Sequence, residues 1–174
     1  IYQCDWSSDV CSSDLDEGSG AWMGRRSLSI MTAAADGREP ETALLGALLT
    51  HLQMENPDEL VAWAAKATPA SFAELCGPIM TVAANGDLRA NSLCTMACEE
   101  LVLHLRTLAR QLFTDERAAV PIALAGGLMH RGSYLRRLVE LRLKTAVPGV
   151  KLHTADVVPA RGAVRCALRL AANA

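Results

Sequence analysis

From Val120 onward the chain alternates two short apolar, β-prone runs with two helical ones. In order they are VPIALA at 120–125, SYLRRLVELRLKTAV from 133, VKLHTA at 150–155 and ARGAVRCALRLAANA to the end. A strand that returns parallel to its predecessor needs a crossover of about a dozen residues or more, usually a helix and almost always right-handed. The spacing therefore predicts a parallel β–α–β unit followed by one more helix. Two strands cannot cover all the helices in this sequence, so partner strands are expected outside it.

Everything between residues 16 and 113 reads as helix. Ala and Leu abound, and 51% of the chain is hydrophobic against 21% charged, a globular and helix-leaning balance. Ser19 suits a helix N-cap, and Asp36-Gly37 suits its end. Leu44, Leu45, Leu48, Leu49 and Leu52 recur at three- and four-residue spacing, predicting a helix from Glu41 to Gln53. Asn56-Pro57 with Glu59 makes a capping-box pattern, and Thr68-Pro69 opens the next helix. Gly77-Pro78 is expected to break or kink that helix. Asp87 reads as the N-cap of one long helix to about Phe113, with Cys94, Ala97, Leu101, Leu105, Leu108 and Leu112 as its apolar stripe.

Residues 1–15 differ. DWSSDVCSSDL has no helical or strand period and resembles the translation of sequencing-adapter DNA joined to a truncated reading frame. The expectation is an artefactual, disordered leader at 1–15 and a separate domain at 16–174. Cys4 and Cys11 lie in that leader, too far apart for a CxxC knuckle. Cys76, Cys94, Cys98 and Cys166 sit in apolar helical surroundings, where reduced, buried thiols are expected.

The net charge of −2 with scattered basic residues gives no reason to expect nucleic acid. No apolar run is long enough for a bilayer span, and no signal-peptide pattern opens the chain. A cytoplasmic protein is expected.

Three glycine-bearing stretches are candidate sites, and each has a structural alternative. In ALAGGLMHRGSYL, Gly126-Gly127 follows a strand expected to be buried and to end at Ala125, where open α/β sheets bind ligands; a strand-to-helix turn needing positive φ explains the glycines equally well. In DEGSGAW, backbone N–H groups at a helix start could hold an anion while Asp16 accepts from ligand hydroxyls; helix capping alone accounts for it too. In AANGD, Gly86 makes a turn before the long helix. Cys94 and Cys98 at i, i+4 could ligate a metal, but no second pair is near, so core packing is expected. His51, His104, His130 and His153 have no visible triad partner.

Taken in order, DEGSGAWMGRRSL, AANGD, VPIALAGGL and PARGAVRCALRLA resemble the C-terminal half of the BadF/BadG/BcrA/BcrD-type ATPase family. That family includes N-acetylglucosamine kinases. The resemblance runs over nearly all of residues 16–174. It implies an α/β fold, the helix-rich and incomplete C-terminal lobe of an actin/hexokinase/Hsp70-like (ribonuclease H-like) ATPase. It also implies ATP and Mg²⁺ in a cleft between two lobes and phosphoryl transfer to an amino sugar such as N-acetylglucosamine.

By the same resemblance, Asp16 contacts substrate. Gly86 lies near the nucleotide, Gly126 and Gly127 form the adenosine-side turn, and Gly162 sits in the helix flanking it. A homodimer is left open. Two positions depart from the family pattern: Leu15 stands where the family has Gly, and Leu88 where it has Pro. The family's Gly/Thr phosphate loop and its general base have no counterpart in the sequence. The chain is therefore expected not to catalyse by itself, since transfer needs nucleophile, metal and phosphates in one place. Two other functions fit the same resemblance: an activator ATPase of an acyl-CoA dehydratase or reductase, with an iron–sulfur cluster, and a non-enzymatic ATP-binding regulator.

Overall fold

A computed structural model describes residues 16–113, 119–155 and 157–172; the 1–15 leader lies outside them. The described elements are α1 (Gly20–Ala35), α2 (Leu44–Leu52), α3 (Pro57–Ala64), α4 (Pro69–Glu74), α5 (Cys76–Ala84), α6 (Leu88–Leu112), β1 (Val120–Ile122), a 3₁₀ turn (Gly127–Met129), α7 (Tyr134–Ala146), β2 (Val150–Leu152) and α8 (Pro159–Ala172). The protein is helix-rich and mixed α/β. The strands pair in parallel, Val120 opposite Val150 and Ile122 opposite Leu152, with α7 as the crossover.

The caps form as their residue types require. Ser19 Oγ accepts from Trp22 N at 3.1 Å, and Asn56 and Glu59 complete the reciprocal box that opens α3. Thr68 Oγ1 accepts from Ser71 N to open α4. Asp87 caps α6, accepting from Arg89 N and Ala90 N. The same carboxylate also takes Ala43 N at 2.8 Å and Thr42 Oγ1 at 3.0 Å, so it serves the start of α2 as well. That second role explains why α2 begins at Leu44 rather than Glu41. Its own N-cap residue, Ala43, has no side-chain acceptor.

One apolar core joins the helices. α1 contributes Met23 and Met31, α2 Leu44 and Leu48, α5 Ile79, and α6 Leu93, Cys94 and Ala97. α7 adds Leu135, Val139 and Leu143 beneath the Val120 and Ile122 side of β1. Burying each large side chain is worth about 1.5–3 kcal/mol.

The structure corrects several expectations. Each strand has three residues, and β1 ends at Ile122, not Ala125. Its burial alternates, with Pro121 exposed, because only one face of the sheet is covered. The break between α4 and α5 falls at Leu75, which caps both helices; Gly77 and Pro78 lie in the first turn of α5, where proline's missing N–H is tolerated. The fully buried residues of α6 are Ala90, Leu93, Cys94, Ala97, Cys98 and Val102. Leu101 and Leu105 are partly buried against the core, while Leu108 and Leu112 are exposed and Ala109 and Phe113 make the core contact at that end. Cys166 is exposed, not buried. It lies on α8, which has no buried residue although Val164, Leu168 and Leu170 are 59%, 65% and 73% exposed on an otherwise amphipathic helix.

Candidate functional site

The glycines of DEGSGAWMG are packing glycines. Gly18, at φ +79°, lies against α6: a Cβ there would meet Ala97 O and Leu101 Cγ at 2.9 Å. A Cβ on Gly20 would sit 3.0 Å from that of Ala73. On Gly24 it would overlap Phe72 O at 2.1 Å. Gly20 and Gly24 are one turn apart, so together they let α4 lie directly on the backbone of α1. Phe72 then receives Trp63 edge-on at 5.3 Å between ring centres, and the Arg25 guanidinium at 5.2 Å.

Asp16 stands at the head of this packed corner. Its carboxylate accepts from the Ser19 hydroxyl and pairs with Arg25 Nη1 at 3.2 Å; its side chain is 26% exposed. It is thus oriented by two neighbours and still reachable from solvent.

The other predicted glycines are of a different kind. At Gly86, Gly126, Gly127 and Gly162 a Cβ would meet nothing within 4 Å. Gly86 (φ +96°) closes the turn between α5 and α6, its N–H on Ala83 O at 3.0 Å. Gly126 (φ +114°) starts the 3₁₀ turn after β1, its carbonyl accepting from Met129 N. Positive φ is a conformation that L side chains adopt only at a cost, so glycine is required at both turns for backbone reasons alone. Gly127 has an ordinary φ and is exposed.

The fold brings the Gly86 turn and the Gly126–Gly127 loop to neighbouring helix starts. Tyr134, the first residue of α7, donates its hydroxyl to Asn91 Oδ1 in the first turn of α6, and Ser133 Oγ lies 3.5 Å from Met80 Sδ of α5. Asp16 is held elsewhere. The Gly18 corner meets α6 at Ala97, roughly ten residues on from Asp87, or about 15 Å along the helix axis. Gly162 lies on the uncovered α8 and joins neither group through a buried contact.

Basic residues that look scattered in the sequence converge in the fold. Arg131, Arg136, Arg137, Lys144 and His153 line a groove of about 430 Å³ beside the carboxyl end of β2. Glu140 is the acid among them, and it is engaged by Arg136 Nε at 2.6 Å. Arg131 Nη2 reaches Thr154 O at 2.5 Å, tying the glycine loop to the exit of β2. Sequence reasoning missed this groove, and also Asn91 and Tyr134. The spacing of Arg136, Arg137, Glu140 and Lys144 along one predicted helix was the available signal.

The thiols behave as core groups. Burial pushes Cys76 up to about 11 and Cys98 to about 11. Burial, with Cys76 adding to it, pushes Cys94 up to about 12. Held protonated, they suit packing better than ligation. Among the described residues no group of three or more His, Cys, Asp or Glu side chains converges as metal ligands would, so none is assigned to Mg²⁺. No described helix is long and apolar enough to cross a membrane.

These features define a helix-rich α/β segment with two solvent-open glycine turns side by side and a carboxylate held apart from them. No family model matches the chain. It is nevertheless similar to N-acetylglucosamine and glucosamine kinases, in line with the resemblance of its motifs. It is 27% identical over 156 residues to an N-acetyl-D-glucosamine kinase of Dictyostelium discoideum, covering 88% of this chain and 49% of that protein. It is 29% identical over 116 residues to a glucosamine kinase of Vibrio cholerae (67% and 37%) and 26% identical over 151 residues to an N-acetylmuramic acid/N-acetylglucosamine kinase of Clostridium acetobutylicum (86% and 49%). A crystal structure from Chromobacterium violaceum, provisionally assigned as an N-acetylglucosamine kinase, superposes with a TM-score of 0.58 at 32% identity, covering 77% of this chain and 44% of that one. The chain spans less than half of the length of each of these four proteins.

Proposed function

We propose that this chain supplies one lobe of an ATP-dependent amino-sugar kinase, acting on N-acetylglucosamine or a close relative. Residues 16–174 form the C-terminal lobe of an actin/hexokinase-like ATPase, separate from the 1–15 leader. The single observation that carries this reading is the pair of open turns at Gly86 and Gly126–Gly127, set together at the starts of α6 and α7, within a chain similar to three amino-sugar kinases. The bare α8 and the two-stranded sheet agree with a lobe whose remaining layers lie in the rest of a longer protein.

The residues fit a nucleotide. Gly86, Gly126 and Gly127 offer main chain with no side chain in the way, and the basic groove beside the loop favours an anion. Gly162 belongs to the same reading as a flank from α8. ATP, when bound, supplies the γ-phosphoryl group. Asp16, oriented by Ser19 and Arg25, is placed to accept hydrogen bonds from sugar hydroxyls, far enough along α6 for an extended triphosphate to lie between it and the glycine turns. Mg²⁺ belongs to the reaction class. A cytoplasmic location belongs to the same proposal.

The test is ADP release by the whole protein in the presence of N-acetylglucosamine, glucosamine or N-acetylmuramic acid. Sugar-dependent release is expected, and Asp16→Asn should lower kcat/KM by about 10- to 100-fold, the cost of a charged hydrogen bond. Absence of sugar-dependent release with all three would overturn the assignment.

A further inference from the structure

We infer that Asn91 and Tyr134 form a latch that fixes the spacing between the Gly86 turn and the Gly126–Gly127 loop, so that the two turns act as one unit. The inference rests on the nucleotide reading above only for what the unit holds.

Asn91 spends all of its amide on this task. Its Nδ2 donates to Ala83 O and to Asp87 O, each at 3.0 Å. Ala83 O is also the acceptor of Gly86 N, and Asp87 N closes the same turn on Val82 O at 3.3 Å. One side-chain nitrogen therefore pins the carbonyl that shapes the turn and the carbonyl just after it. With Nδ2 committed to two carbonyls, Oδ1 must face the other way, and there it accepts the Tyr134 hydroxyl.

Tyr134 is the far half of the latch because of where it stands. It follows Ser133, whose Oγ donates to Leu128 O at 2.6 Å and whose N–H donates to His130 O at 3.1 Å. His130 Nδ1 meets Gly127 O at 2.8 Å, and Arg136 Nη1 donates to Met129 O at 2.8 Å. The loop after β1 is thus a chain of local bonds anchored at the start of α7. Tyr134 carries that anchor across to α6. Both residues are half-buried, so the bond between them is shielded from competing water without being sealed away from the turns.

Both turns have a glycine at positive φ, and a Cβ on Gly86, Gly126 or Gly127 would meet nothing within 4 Å, so the glycines themselves add no side-chain contact that would hold the turns. Without a cross-link they would open separately. The latch makes Asn91 and Tyr134 positioning residues: neither needs to touch a ligand, yet both set where the two stretches of main chain lie.

The deciding experiment is amide hydrogen exchange on the full chain with Tyr134→Phe, which removes one hydroxyl and keeps the ring under Arg137. Exchange should rise by about tenfold at residues 85–87, on the other element, as well as at 126–133, with the melting temperature nearly unchanged. Asn91→Leu should do the same at both turns. Exchange raised only at 126–133, or raised evenly with a large fall in melting temperature, would overturn the latch. The non-hydrolysable analogue AMP-PNP separates the two readings. Binding by the unaltered chain and about tenfold weaker binding by Tyr134→Phe supports a latch that positions the nucleotide. Equal affinity overturns that role. No binding by the unaltered chain counts against the nucleotide reading, and the exchange result still decides the latch.

Discussion

Two groups of glycines in this chain look alike in the sequence and do opposite things. Gly18, Gly20 and Gly24 are spent on contact: α4 and α6 press so closely on the backbone around α1 that a single methyl group would strike a carbonyl or a neighbouring side chain. At Gly86, Gly126 and Gly127 an added methyl group would meet nothing within 4 Å. The first group is paid for by packing that stabilises the helical corner; the second adds no packing and leaves main chain open to solvent. A glycine-rich stretch therefore points to a ligand only where the space above it is empty.

The largest effect should come from Gly24→Ala. A Cβ 2.1 Å from Phe72 O requires α1 and α4 to move apart, at about 3 kcal/mol or more. For a chain of this size thermal unfolding should show a loss on the order of 10 °C. A melting temperature within a degree or two of the unaltered chain would mean that the corner is not packed as described.

Asp87→Ala comes next, because one carboxylate caps both α2 and α6; the expected cost is about 2 kcal/mol in denaturant titrations. The pH dependence has a definite sign. Desolvation pushes the Asp87 carboxyl up, but the hydrogen bonds from Ala90, Ala43, Thr42 and Arg89 outweigh it, and the net shift is downward. A depressed carboxyl contributes stability above its unfolded value, near about 4, and loses it as pH falls through the folded value. The penalty of Asp87→Ala should therefore be full at pH 6 and shrink below about pH 4. A pH-independent penalty would remove the charge from the explanation.

Gly127→Ala should have the smallest structural effect, within about 0.5 kcal/mol, since it has neither positive φ nor a neighbour. On the proposed function it should nonetheless weaken nucleotide binding by about tenfold in equilibrium titration, by holding the ligand off the main chain. A stability loss matching that of Gly24→Ala would erase the distinction between the two groups.

Local chemistry made much of this legible in advance. Ser19, Asn56, Thr68 and Asp87 cap helices because each offers an oxygen at the right offset, and the β–α–β tail follows from its spacing. What could not be read is non-local. Asp87 reaches across the fold to Thr42 and Ala43, so the start of α2 depended on a residue far away in sequence. The stripe of α6 continues through Leu108 to Leu112 in the sequence, but at that end Ala109 and Phe113 are the residues packed on the core. The Gly126–Gly127 turn was visible as a motif. Its partner across the site, the Asn91 amide, was an unremarked polar residue in a helix. Tyr134 is one of only two tyrosines, and its hydroxyl had no partner until the fold supplied one.

The uncovered α8 has a thermal consequence. A fourteen-residue helix standing alone is marginal in water, and this one draws no support from buried side chains. In the chain by itself it is a bystander to cooperative melting. Its ellipticity would fade gradually on warming, ahead of the sharp transition of the other helices, until a covering surface recruits it into that transition.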